Sequence, residues 1–237
     1  MNYTPPIQYL MRQSFRRFIT CSLLTTGLII LVRLYEIFFI SHETGYPSGS
    51  IPGLIYGIRF DLLLSFRLSG YLLIPFLFID HFSQKVARIF YAAVSVVVVI
   101  TEISLLRYFS ATQVPLGSEI LGYSISEIIQ IVRASGEINI AAILPVVLFF
   151  AFTVYIFYKW YNLRISRSLV VLFSFFMFSS LLPVYNFNPV PAEYKNKLAM
   201  NIAANKLIFF SGSVFNYYFP GTESPDLKNK RPTAKQS

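Results

Sequence analysis

Charge is scarce in this chain. Asp, Glu, Lys and Arg make up 13% of its 237 residues, against about 25% in an ordinary soluble domain. Cysteine is scarcer still: Cys21 stands alone inside an apolar run, which excludes an intrachain disulfide and argues against thiol redox chemistry. The two histidines, His42 and His81, fall on opposite sides of the topology derived below. No grouping of His, Cys, Asp and Glu has metal-ligand spacing. The glycines of Gly45–Gly53 lack the lysine and strand context of a nucleotide loop, and no Ser or Cys nucleophile has a recognisable histidine base. His42 and Glu43 read as solvated loop residues. No catalytic and no metal-binding residues are expected within the chain itself.

Apolar residues are abundant instead, at 55% of the chain with a mean hydropathy of +0.58. They cluster into runs of about twenty residues, the length that crosses about 30 Å of hydrocarbon as a helix. Only a helix or a closed barrel satisfies the backbone in lipid. Barrel strands would alternate apolar and polar residues, whereas Val94–Ile100 and Val146–Phe152 are apolar on every side. The expected fold is therefore an all-α integral membrane protein with about five transmembrane helices: Phe18–Ile40, Leu54–Ile79, Ile89–Tyr108, Ile138–Tyr158 and Ser168–Tyr185.

Arg12, Arg16 and Arg17 precede the first run. Lys85 and Arg88 lie between the second and third, and Lys159, Arg164 and Arg167 between the fourth and fifth. The loop Ser41–Gly53 has neither Lys nor Arg. Basic residues favour the cytoplasmic side, so the expected location is the cytoplasmic (inner) membrane, multi-pass, with the N-terminus inside and the C-terminus outside. The net charge of +9 resides mainly in these turns, which argues against a nucleic-acid partner. The first run is too long for a signal peptide, is interrupted by Arg33 and Glu36, and lacks a small-residue cleavage site before Ser41. Tyr108, Tyr155, Tyr158, Trp160, Tyr161 and Tyr185 stand where an aromatic belt is expected.

Two outer stretches carry helical periodicity. Ser118–Arg133 places Ile120, Leu121, Ile125, Ile128, Ile129 and Val132 on one face, and Asn196–Phe210 does the same with Leu198, Ile202 and Phe209. Ser118–Arg133 lacks a Lys-rich polar face, so packing on the bundle is expected for it rather than surface-seeking. Three regions follow: a five-helix transmembrane domain at 1–185, an extracellular helical juxtamembrane segment at 186–219, and a polar linker or disordered tail at 220–237.

The informative residues are charges inside the apolar runs. Arg33 and Glu36 are three apart and share a helical face. Arg59 and Asp61 open the second run, with Arg67 farther along and lacking an obvious partner. Glu102 sits in the third run, five residues before Arg107. A lone charge at mid-bilayer costs about 3 kcal/mol even on lenient scales, so such residues face the bundle and pair. The topology gathers Arg33, Glu36, Arg59, Asp61, Glu102 and Arg107 near the outer leaflet. They are candidates for a structural polar cluster or for simple snorkelling to the outer interface, or else for a site gripping a lipid head group, where Arg suits phosphate.

Tyr56-Gly57-Ile58-Arg59-Phe60-Asp61-Leu62, followed by Tyr71-Leu72-Leu73-Ile74-Pro75-Phe76, resembles the membrane portion of the lipoteichoic acid synthase and phosphoglycerol transferase family. These are membrane-anchored members of the sulfatase / alkaline phosphatase superfamily. Asn196-Lys197-Leu198-Ala199-Met200-Asn201 is similar to the segment those proteins place after the fifth span. The resemblance implies an anchor for an extracellular transferase domain bearing a threonine or serine nucleophile and a divalent metal. No such domain is present here, so this chain alone is expected to be inactive and to carry no cofactor of its own. Only Arg59 and Asp61 carry over from the family's motif. The implied partners are membrane lipids and a sulfatase-like catalytic domain on a separate or continuing chain. Two other readings stand beside it: a small transporter or channel subunit, and an accessory scaffold of envelope-polymer synthesis.

Overall fold

A computed structural model describes residues 7–37, 51–112, 114–124, 126–127, 130, 140–182, 201 and 204–219. Every regular element among them is helical: α1 (Ile7–Tyr35), α2 (Ile51–Phe82), α3 (Gln84–Thr112), a 3-10 turn at Ser118–Gly122, α4 (Ile140–Trp160), α5 (Arg167–Ser180) and α6 (Lys206–Tyr218). Among the described residues three stretches are long and apolar enough to cross a membrane: Met11–Tyr35, Tyr56–Phe82 and Gln84–Phe109. Val147–Trp160 and Arg167–Ser180 are shorter apolar helices. Large side chains on the outside agree with a lipid surround: Ile74 is 78% exposed and Phe82 73%. Uncovered apolar surface on that scale is foreign to a water-soluble monomer.

Cross-helix pairs fix the directions. Arg33 meets Asp61, Thr26 meets Ser65 and Arg17 meets Asp80, so α1 and α2 run antiparallel. Ser22 meets Tyr91 and Thr25 meets Ser95, so α3 runs parallel to α1. Ser83 alone separates α2 from α3. Its N–H donates to the Ile79 carbonyl, its carbonyl accepts from Ala87, and its hydroxyl accepts from the Val86 N–H. One serine thus closes one helix and caps the next.

The core lies where these helices meet α4 and α5. Phe18, Phe76, Tyr91 and Phe157 are fully buried, with Phe173 and Met177 of α5 packed into the same cluster. Phe18, Phe76 and Tyr91 meet edge-on or tilted, with ring centroids 5.4 to 5.8 Å apart, the arrangement that aromatic quadrupoles favour. Hydroxyls thread this core. Ser22 bonds Tyr91 at 2.8 Å and Thr25 bonds Ser95 at 2.6 Å, while the Thr26 and Ser65 hydroxyls bond each other. Thr26 and Ser69 also donate to the carbonyl four residues back, and so does whichever of Thr25 and Ser95 accepts in their mutual bond. Small hydroxyl residues let helices approach closely and join them without a charge.

Two expectations are corrected. Ser118–Arg133 does not form one continuous helix. The 3-10 turn stops at Gly122, and Ser124 begins a new helical start: its N–H and hydroxyl donate to Glu127, whose own N–H donates back to the Ser124 hydroxyl. That reciprocal pair is a capping box, which starts a helix and so interrupts the preceding one. It also holds the exposed Glu127 carboxyl below its ordinary range, the Ser124 backbone N–H being the larger cause and its hydroxyl the second.

The fifth apolar run, expected as one helix over Ser168–Tyr185, ends its helix at Ser180 and turns at residues 181–182. Pro183 follows, which lacks an N–H and pushes its predecessor out of helical backbone. Residues 183–185, the loop Ser41–Gly53 through residue 50, most of the stretches 131–139 and 183–203, and the tail 220–237 lie outside the described residues. The echo Asn196–Met200 lies there too.

Candidate functional site

Where α1 ends, α2 begins and α3 approaches its last turns, a buried ionic cluster joins three helices and α6. On α1, Arg33 lies near the C-terminus and Glu36 follows in a wider π-type turn at residues 36–37. The Arg33 guanidinium is engaged on all three nitrogens. Nε donates to Asp61 Oδ2 at 2.6 Å, one terminal nitrogen to Asp61 Oδ1 at 2.8 Å, and the other to Glu36 Oε2 at 2.5 Å. The two bonds to Asp61 form the parallel fork that makes Arg–carboxylate pairing strong and directional.

The close fit depends on Gly57, one turn before Asp61 on α2. A methyl group there would stand 2.9 Å from the guanidinium carbon of Arg33. The motif's glycine is therefore a space for arginine rather than a hinge.

From α6, Asn205 and Lys206 complete the cluster. The Asn205 amide nitrogen donates to Asp61 Oδ1 at 2.7 Å and to Glu102 Oε1 at 2.8 Å, while its carbonyl oxygen accepts from the Ile208 N–H at 2.9 Å. One side chain thus caps α6 and bridges α2 to α3. Lys206 Nζ donates to Glu36 Oε1 at 2.7 Å and lies 4.5 Å from the centre of the Phe109 ring. Burial pushes the Lys206 amine below its ordinary range, against the pull of Glu36 that supports its charge. Arg33, Glu36, Asp61, Glu102, Asn205 and Lys206 are all buried.

The expected six residues therefore divide. Arg33, Glu36, Asp61 and Glu102 come together. Arg59 and Arg107 do not join them, because both side chains are exposed. Each faces away from the seam that buries Asp61 or Glu102 on its own helix. A cavity of about 10 Å³ remains, lined by Ile29, Val32, Leu106 and the cluster's charged groups. That is room for about one water. To reach the Arg33 fork, a phosphate would have to displace Asp61 from it.

Arg67 does have a partner. Its Nε donates to the Ser180 carbonyl at 3.0 Å, the end of α5, and Leu181 packs where a methyl on Gly70 would stand. Arg67 lies near the middle of the Tyr56–Phe82 stretch, so α5 ends beside the midpoint of α2. A cation there satisfies a helix-terminal carbonyl and the negative end of the helix dipole.

Sequence reasoning missed Asn205, Lys206, Arg17 and Asp80. The first two carried a readable signal: an Asn immediately before Lys-Leu-Ile-Phe-Phe has the form of a helix N-cap. At the opposite end of the bundle, Arg17 bonds Asp80 at 2.6 Å, and the Tyr161 hydroxyl donates to the other Asp80 oxygen at 2.6 Å. Arg88 lies over the rings of Tyr158 and Tyr161. Asp80 is a single acid closing an apolar run, and its fit with Arg17 was not visible in local spacing. Among the described residues no group of three His, Cys, Asp or Glu side chains is arranged to hold a metal ion.

Comparison with known proteins finds no matching family model, no matching curated protein and no matching solved structure.

Proposed function

We propose that this chain is the membrane anchor module of a sulfatase-like phosphoglycerol- or phosphoethanolamine-type transferase, acting on the outer face of the cytoplasmic membrane. The observation that carries the reading is the attachment of α6. Asn205 and Lys206 fix the start of this helix to carboxylates on three other helices, and the Ser118 N–H donates to Ser213 farther along it. A loose tether would not need four such bonds. A platform that must present a domain in one orientation would. The resemblance around Arg59 and Asp61 supplies the identity of that domain.

In this reading five helices cross the membrane, the 21-residue α4 among them. The basic turns put the N-terminus inside and the α6 end outside. Exposed Arg59, at that end, is the residue placed to meet a lipid phosphate. The test is crosslinking from the exposed face of α6, for example at Tyr217, in native membranes. The expected result is capture of a sulfatase-superfamily domain, lost in Lys206→Met. Capture of unrelated envelope-synthesis proteins instead would favour the accessory-scaffold reading.

One observation favours a second reading, a small transporter or channel subunit. The end of α5 beside mid-α2, held by Arg67, has the form of the interrupted helices that transporters place at mid-membrane. Substrate flux in reconstituted vesicles that disappears in Arg67→Leu would support it.

A further inference from the structure

Among the described residues the ionic cluster at the α6 end does not balance. Three carboxylates, Glu36, Asp61 and Glu102, meet two cations, Arg33 and Lys206. Glu36 and Asp61 take both cations: Arg33 is shared between them and Lys206 bonds Glu36. Glu102 makes no ion pair among the described residues. Its Oε1 accepts from Asn205, and its second oxygen accepts no hydrogen bond from any described residue. Glu102 is buried, with 6% of the residue exposed, and it lines the small cavity.

Asp61 stands close by, because one nitrogen of Asn205 donates to both carboxylates. Two acids at hydrogen-bond distance from one nitrogen repel when both are ionised. A surplus negative charge in a site that holds about one water is costly, and the usual remedy is neutralisation. Among the described residues the groups facing Glu102 are Arg33 and Glu36 at the end of α1, Asp61 from α2, and Asn205 and Lys206 at the start of α6. None of the neutral partners can supply the missing charge.

We propose that Glu102 is an exchange site for a single monovalent cation, taken up on its free carboxylate oxygen in the cavity beside Asp61. The shared chemistry is one positive charge, supplied either by a proton on Glu102 or by a Na⁺ held between oxygens of Glu102 and Asp61. A divalent ion would reverse the imbalance instead of cancelling it. Because Asn205 reaches Glu102 from α6, uptake of the charge is linked to the seating of α6. The inference does not depend on what α6 carries.

The test is the thermal midpoint of the full chain in lipid nanodiscs, from pH 5 to pH 9, in Na⁺ or in a bulky organic cation too large for the cavity. A proton on Glu102 raises the midpoint as pH falls, equally in both salts. Bound Na⁺ raises it in Na⁺ at the alkaline end only, by mass action. Glu102→Gln, which keeps an acceptor for Asn205 and removes the charge, is expected to abolish whichever response the wild type shows. Infrared difference spectroscopy of the wild type gives a readout that needs no variant. A protonated-carboxyl band in Na⁺-free buffer supports the proton, and a carboxylate shift on adding Na⁺ supports the ion. The proposal is overturned if neither band nor shift appears, or if Glu102→Gln keeps the wild-type response to pH and Na⁺.

Discussion

The two ends of the helix bundle are both held by buried ion pairs, built from different parts of the chain. At one end Arg17, Asp80 and Tyr161 form a small set in which one cation meets one acid and a hydroxyl fills the remaining oxygen. At the other, Arg33 serves two acids, Lys206 serves one of them again, and an asparagine bridges to a third. The first set joins helices that pack against each other anyway. The second draws in α6, whose residues lie about 140 positions beyond Asp61 in sequence. A balanced pair is a fastener. An unbalanced one leaves a charge to be exchanged, and so can report on its surroundings.

The contrast is open to direct attack. Arg33→Leu leaves Asp61 without a cation and Glu36 with Lys206 alone, and a loss of about 3–5 kcal/mol is expected from a buried charge left without its partner. Chemical unfolding in detergent measures it. Asp80→Asn is expected to cost clearly less, because it keeps an acceptor for Tyr161 and Arg17 can extend its stem toward the interface. Equal losses from the two variants would erase the distinction between the ends.

A smaller effect, about 1–3 kcal/mol, is expected for Gly57→Ala, whose added methyl overlaps the Arg33 guanidinium. If Gly57→Ala unfolds at the wild-type midpoint, the fork does not need that space. Lys206→Met removes one cation but leaves a flexible apolar stem over Phe109. Faster proteolysis of α6 with an unchanged bundle is the expected outcome, since only α6 depends on that bond. The smallest change is expected for Thr26→Val, about 0.6 kcal/mol, the typical worth of an interhelical hydroxyl bond in a membrane. A much larger loss there would show that the hydroxyl seam, not the ionic ends, holds α1 to α2.

Much of the framework was legible in the sequence because lipid imposes simple rules. The apolar runs announced α1, α2 and α3, and the three-residue spacing of Arg33 and Glu36 announced their pairing. Asp61 and Glu102 were recognised as inward-facing because a membrane leaves charge no cheaper place. Arg59 and Arg107 were expected in the same group and lie outside it, with exposed side chains. Near the end of a helix a long cation can reach the interface from an outer face, and spacing alone cannot separate that from burial. The break of α5 was written in Pro183 but hidden by the apolar residues on both sides of it.

The sequence by itself determined that the chain is helical, that it holds apolar runs long enough to cross a membrane, and that Arg33, Glu36, Asp61 and Glu102 turn inward. Those properties follow from local composition and from the cost of charge in hydrocarbon. Only the tertiary structure decided who partners whom. Asn205 and Lys206 reach Asp61, Glu102 and Glu36 across more than a hundred residues, and Arg67 finds a carbonyl at the end of α5. No periodicity encodes such meetings, because they depend on how whole helices lie against one another once each has satisfied its own backbone.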